Sequence, residues 1–239
     1  MTVVSRYAEP GRADRNIALR NRPDLKLAEE RMNIVSNRVI DTEPNSNTTV
    51  RLESDLESGL LTILKVEPGI VGVRAQYKVR IMVEGIWVDH WFDACADYDS
   101  GRRVLYAVRN KENAEEVDKL VELFSEQELD QHAHLALVVS EEEITKPAIY
   151  RAEEILLARK RNNERVNELV LRTLQEAGGR ERVANVLIRI PGVTFARAWN
   201  AMWSLIDRGL VAHDHPRPEK TIIKRHSWII IVKEQENDE

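Results

Sequence analysis

The sequence predicts an α/β fold: a sheet domain flanked by helices, followed by a winged helix-turn-helix module. Three observations predict it. Three period-two runs follow one another between residues 73 and 108, separated by short turns. Helical periodicity brackets these runs on both sides. Beyond residue 160, three helical segments lead into two apolar runs around a proline-rich loop, which is the order of a winged helix.

Taken in order, residues 1–49 read as an Arg-rich arm, with a short helix after Pro23 and a loop at 41–49 (DTEPNSNTT). In the following segment, VRLESDLESGLLTILKVEPG, Leu52, Leu56, Leu60 and Leu64 recur at i+4, so an amphipathic helix is expected, ended by Pro68-Gly69. Val73, Ala75, Tyr77, Val79, Ile81 and Val83 then alternate with Arg74, Gln76, Lys78 and Arg80. Glu84-Gly85 makes a tight turn into a second strand, Trp87 to Ala96, and Asp99-Ser100-Gly101 turns into a third, Arg103 to Val108. A helix carrying Val117, Leu120, Val121 and Phe124 on one face follows, then the apolar strand HLALVVS. From Pro147 to Gly179 the pattern is helical, with a module boundary in the charged LARKRNNER stretch. Arg180 to Ile190 reads as the next helix, and Thr194 as the N-cap of the one after it, which Gly209 ends. The wing is Leu210-Val211-Ala212, the loop HDHPRPEKT and the return strand IIKRHSWIIIV. The predicted parts are the arm (1–49), a sheet domain (50–158), the winged helix (159–233) and an acidic tail (234–239).

A formal net charge of −5 argues against a nucleic-acid partner, but the charge is segregated. Residues 1–40 carry +3, residues 41–150 carry −11, residues 151–233 carry +7 and the tail carries −4. A basic C-terminal segment beside an acidic middle suits a protein that holds DNA with one module. The one cysteine, Cys95, excludes an internal disulfide framework, fits a cytoplasmic location and reads as a small core residue. Neither a secretory signal nor a membrane span is expected.

Two carboxylates stand out in the sheet domain. Glu57 falls on the polar flank of the first helix, and Asp93 sits among apolar and aromatic neighbours in WFDAC, where a carboxylate needs a reason. Phosphodiester hydrolysis with Mg²⁺ needs two or three oxygen ligands converging from different elements. A helix Glu, a strand Asp and an acid-x-Lys on the next strand would form such a site. Asp89 and Asp97 flank Asp93 at strand spacing, as an acidic sheet face or a relocated ligand.

These residues carry a resemblance. SDLESGLLTILKVEPGIVGVRAQY resembles the N-terminal motif of TnsA-like endonuclease subunits of heteromeric transposases, and HWFDACADYDSGRRVLYAVRNKE resembles the strand-turn-strand with the catalytic Asp. ITKPAIYRAEEILLARK is similar to the helix after that core. The resemblance spans roughly residues 50–233. It implies a restriction-endonuclease-like mixed sheet flanked by helices, Mg²⁺-dependent cleavage at transposon ends, and a transposase subunit and an ATPase regulator as partners. Glu57 matches the helix acid and Asp93 the strand Asp, as catalytic residues and metal ligands. The third strand departs from the pattern, with Ala107, Val108 and Arg109 where the family has Glu or Gln, any residue, and Lys. Ala107 cannot ligate a metal, and Arg109 is a poorer proton-transfer group than Lys. Lys111 lies one pleat further on as a substitute. Two readings follow: Glu57 and Asp93 hold a metal while Arg109 or Lys111 stabilises the transition state, or the fold persists as a catalytically inactive DNA-binding or protein scaffold.

In the winged helix, Thr194, Arg197 and Asn200 line the start of the third helix, where a recognition helix meets base edges of double-stranded DNA. Lys220, Lys224 and Arg225 add phosphate contacts from the wing, and Arg189 and Arg217 add charge. The alternative is a protein-interaction module. His213, His215 and His226 in the wing could meet as imidazoles around zinc, or sit near phosphate. Trp199 and Trp203, at i and i+4, read as core.

Overall fold

The computed structural model describes residues 39–43, 48–52, 55–111, 114–127 and 132–232. Most of the Arg-rich arm, the short helix expected after Pro23 and the acidic tail lie outside them. The chain divides between Asp55 and Leu56 into two compact units.

In the first unit, β1 (Val39–Glu43) pairs antiparallel with β2 (Thr48–Leu52), with Val39 opposite Leu52 and Glu43 opposite Thr48. This replaces much of the expected loop at 41–49 and the expected helix start at 50. Thr48, Thr49 and Val50 are β-branched, and their pairing with Val39–Glu43 outweighs the helical spacing of Leu52. Helix α1 therefore begins at Asp55 (Asp55–Leu64).

The second unit is mixed α/β. Its larger sheet has the order β3 (Ile70–Val83), β4 (Ile86–Tyr98), β5 (Arg103–Val108), β6 (Leu135–Val139). The first three strands are the expected antiparallel meander, and β5 pairs with β6 in parallel through the crossover helix α2 (Ala114–Gln127). Glu84 and Gly85, at φ +51° and +83°, make the two-residue turn of the β3–β4 hairpin, whose twist matches the strands it joins. Helix α2 lays Val121 and Phe124 against Val79, Ile81, Phe92, Cys95, Leu105 and Ala107. At its end the Gln127 side chain accepts from Met82 N (3.0 Å) and donates to Met82 O (3.1 Å), which blunts the exposed edge of β3. Helix α1 buries Leu60, Leu61 and Leu64. It approaches α3 (Lys146–Lys160) so closely at Gly59 that a Cβ there would stand 2.6 Å from Ile149.

Thr145 caps α3, accepting from Ala148 N, and Pro147 lies in its first turn. The helical stretch breaks at Arg161, inside the charged segment. Asn163 then caps α4 (Glu164–Glu176) by accepting from Val166 N. Next come β7 (Arg180–Arg182), α5 (Val183–Ile188), α6 (Phe195–Asp207), β8 (Val211–His213), a 3₁₀ turn (Pro218–Lys220) and β9 (Trp228–Ile231). The three strands form an antiparallel sheet of order β7-β9-β8. The expected helix at 180–190 is shorter because Arg180–Arg182 pair with Trp228, Ile229 and Ile230. The orphan N–H groups that open α5 are met by the loop before β9: Val183 N donates to Ser227 O and Ala184 N to Arg225 O.

The core here joins Val170, Leu174, Val186, Leu187, Met202, Trp203, Leu205 and Ile229 to Ile155 and Ala158 of α3. Helix α3 is thus common to both halves of the unit. Arg159 adds a polar tie, donating to both Asp207 oxygens (2.8 and 2.7 Å) and to the carbonyls of Lys65 and Val66. Replacing fully buried Phe124 by Ala should cost about 3–5 kcal/mol through lost burial and the cavity left behind. Urea denaturation of the purified protein checks this as a lower midpoint at unchanged slope.

Candidate functional site

Asp93 is 5% exposed on β4, and its carboxylate does two jobs. The β4–β5 ladder runs from Asp97↔Arg103 to Ala94↔Tyr106. Beyond it, Val108 N–H has no strand partner on that side and donates to Asp93 Oδ2 at 2.7 Å. The same oxygen receives Arg109 Nη1 at 3.1 Å, and Arg109 also donates to its own neighbour's carbonyl, Val108 O. Arg109 follows the last residue of β5, and its N–H bonds to Val139 O on β6, so its backbone is held while its guanidinium folds back. The structure therefore brings the expected Asp93 and Arg109 together, as a buried carboxylate closed by a backbone amide and a guanidinium.

On the other side of β4, the pairs Ala75↔Ala94 and Tyr77↔Phe92 put Gln76 opposite Asp93, yet that pair is missing from the ladder. Gln76 has φ +57°, uncommon for a residue with a Cβ. Phe92 and Cys95 share the α2-covered core although strict alternation would send residues three apart to opposite faces. The irregularity is thus centred on Asp93. No sequence signal marks Gln76, since Gln in a strand announces no left-handed backbone.

Glu57 lies on α1 as expected, but it is 7% exposed rather than on a polar flank. Leu60, Leu61 and Leu64, three, four and seven residues on, share its helix face and are buried with it, so the buried stripe is wider than the leucines at i+4 alone imply. Lys111 is past the end of β5, not a pleat along it. Its ammonium meets Glu142 at 2.5 Å, which raises its pKa, and its N–H donates to the Glu141 carboxylate. The acidic run Glu141–Glu143 was the available signal for that partner. Asp97 is held by Arg103 (2.6 Å) and Arg74 (3.1 Å), and Asp89 by Lys78 (2.7 Å), which lowers its pKa. The flanking acids thus serve cations of neighbouring strands. Cys95 is fully buried, and burial pushes its thiol up.

The β3–β4 hairpin extends past β5 as a two-stranded ribbon. One face packs on α2; the other carries Lys78 over Trp91 (5.2 Å) and Arg80 over Trp87 (5.8 Å), with Ile86, Trp87 and Val88 exposed at its end. Counting outward from Glu84-Gly85 yields these cross-strand neighbours directly.

In the C-terminal half, the Thr194 hydroxyl is spent as the α6 cap, accepting from Arg197 N (3.4 Å). Arg197 is exposed one turn in, and Asn200 is half-buried. Arg225 lies 4.7 Å over the Phe195 ring, so the loop before β9 delivers a guanidinium to the same end of α6. Phe195 stacks on Trp199, whose Nε1 donates to Glu154 (2.8 Å), and Trp203 is buried in the core. Lys220 and Lys224 stand elsewhere, on a cleft that His213, His215 and His226 also line. Among the described residues, no group of three or more His, Cys, Asp or Glu side chains is placed to hold a metal ion. Also among them, no helix is long and apolar enough to cross a membrane.

Fold and site together define a mixed α/β protein with one irregular, carboxylate-centred strand and a basic C-terminal half. Compared with models of protein families and with curated proteins, the chain finds no match in either.

Asp93→Ala should destabilise the fold by about 2–4 kcal/mol, because it strands the Val108 amide and the Arg109 charge. Asp93→Asn, which keeps an acceptor for the amide, should cost distinctly less. Thermal and urea unfolding of both variants check the order; equal losses would mean that the amide bond contributes nothing.

Proposed function

We propose that this chain is a DNA-binding protein of restriction-endonuclease-like architecture whose C-terminal winged helix grips duplex DNA and whose sheet domain is a scaffold that does not cut. The observation that carries the reading is the Asp93–Arg109 pair. In a metal-dependent nuclease the strand Asp offers its oxygens to a divalent cation. Here Asp93 Oδ2 already accepts a backbone amide and a guanidinium, and the third strand supplies Ala107 where another donor belongs. This donor set does not suit a resident Mg²⁺, and the protein's own cation takes the position next to the acid.

Support for the DNA-binding half is the arrangement of three helices, α4 to α6, with a three-stranded sheet whose β8–β9 hairpin follows α6. Exposed Arg189, Arg197 and Arg225 give this half its positive surface, Arg225 against the first residue of α6. Phosphate contacts of that kind bind without reading sequence, and the N-terminal turn of α6 is the part suited to base edges. Partners then follow from the resemblance: duplex DNA first, and a transposase subunit and an ATPase regulator as in TnsA-like systems. One observation favours the cutting alternative, the burial of both Glu57 and Asp93.

A plasmid assay separates the two. Supercoiled DNA with Mg²⁺ or Mn²⁺ should stay uncut by the wild type, while nicking that Asp93→Asn abolishes would establish the enzyme. Fluorescence anisotropy with labelled duplex should give salt-dependent binding, weakened by Arg197→Ala with a log–log salt slope smaller by about 1. Unchanged binding would move the module to protein partners.

A further inference from the structure

The cleft on the β8–β9 hairpin has a chemistry that the DNA reading leaves unused. Its volume is about 500 Å³, within the range of small-ligand sites. His213, His215, His226, Lys220 and Lys224 line it, with Asp214 the one acid among the lining residues. Asp214 is already neutralised by Arg180, whose Nε donates to it at 2.6 Å while the guanidinium lies 4.4 Å over the Trp228 ring. Lys220, Lys224 and His226 make no side-chain hydrogen bond or ion pair with the described residues. His215 is oriented: its Nδ1 accepts from Arg217 N (3.1 Å), so its proton stands on Nε2 as a donor. His213, 8% exposed, stacks on it at 5.4 Å and 18°. Pro147, Ile222 and Trp228 supply apolar wall. Two ammonium groups without an acidic partner among the described residues, and three imidazoles, around an acid-neutralised, partly apolar cleft are complementary to a tetrahedral anion carried on an organic body.

We propose that this cleft is a phosphoryl-binding site, in which Lys220, Lys224, His215 and His226 hold the anion and Trp228, Ile222 and Pro147 hold the group that carries it. The phosphoryl group belongs either to a free phosphorylated small molecule or to the terminal phosphate of a DNA strand. The site is independent of the non-cleaving reading above and of Arg197.

Binding should also take up protons. Without an anion, burial first, and then the neighbouring His215 and Arg151, hold His213 below its usual range, with Asp214 opposing. The charged groups facing it are His215, Asp214 and Arg151, with His226, Lys220 and Lys224 around the cleft, Arg180 on Asp214 and Glu219 near Arg151. An anion among them would draw a proton onto His213. Affinity should then be greater at low pH and fall as pH rises through the range of the bound His213.

The experiment is isothermal titration calorimetry of the full chain with inorganic phosphate, with adenosine monophosphate and with short duplexes bearing a 5′-phosphate or a 5′-hydroxyl. Sulfate at about pH 6 and about pH 8 reads the protein's protons, because it does not titrate there. Phosphate and the monophosphate should bind, and Lys220→Ala/Lys224→Ala should weaken both about tenfold or more while Arg197→Ala leaves them unchanged. Tighter binding of the 5′-phosphate duplex than of its 5′-hydroxyl twin assigns the source to DNA ends; equal binding assigns it to small molecules. Both exchanged lysines are exposed, and circular dichroism verifies that the variant folds. Absence of phosphate and monophosphate binding by the wild type, or full binding by the double variant, overturns the proposal. Loss of duplex binding with phosphate binding retained would sink the DNA reading and leave this site standing.

Discussion

A carboxylate taken out of water must be given back what water supplied, and Asp93 organises its surroundings around that requirement. It sits at the point where the β4–β5 ladder ends, so the amide of Val108 would be orphaned without it. The two needs cancel: one buried acceptor meets one buried donor, and Arg109 compensates the remaining charge. The strand order places these groups together because β5 is central, paired to β4 on one edge and β6 on the other. The left-handed Gln76 and the broken alternation between Phe92 and Cys95 are the local cost of aiming Asp93 at its partners.

On the proposed reading, this arrangement also explains how a departure from the nuclease pattern can be stable. A lysine reaches a metal-bound phosphate as a point charge on a flexible stem. An arginine carries a planar fork that closes on a carboxylate or a carbonyl, and here Arg109 meets Asp93 Oδ2 and Val108 O. Once the fork is seated, removing the carboxylate is expensive, so the ion pair preserves the strand geometry whether or not any cation is held. A site of this kind keeps its shape through the demands of folding alone.

Much of the sheet was legible because its signals are local. Alternation from Val73 to Val108 and the Glu84-Gly85 turn define three strands and their register, and Pro147 and the Thr194 cap mark helix starts. What was not legible depended on partners distant in sequence. Arg180–Arg182 became a strand because Trp228–Ile230 pairs with it, forty-odd residues on, and Thr48–Leu52 became a strand because Val39–Glu43 does. Glu57 proved buried on the same face of α1 as Leu60, Leu61 and Leu64, and Lys111 was claimed by an acidic run beyond β6. Asp93 and Arg109 were legible as a pair of positions, but their mutual contact follows from where the ladder stops.

The segregated charge acquires a physical meaning from these contacts. In the acidic middle, several cations are consumed at home: Lys78 by Asp89, Arg74 and Arg103 by Asp97, Arg109 by Asp93 and Lys111 by Glu142. An exposed pair of this sort adds little stability, but it removes a cation from the surface field. In the C-terminal half, Arg159, Arg180 and Arg208 are likewise paired, to Asp207, Asp214 and Glu164, the last held near pKa 2 by Arg208. The acids there are fewer than the bases, and among the cations without an acidic partner in the described residues, Arg197, Arg225, Lys220 and Lys224 divide between two places. Arg197 and Arg225 gather at the start of α6, while the lysines stand at the histidine-lined cleft. Cations split in this way suit the two proposed anions: an extended backbone of phosphates along a helix end, and a single phosphoryl group in a concavity.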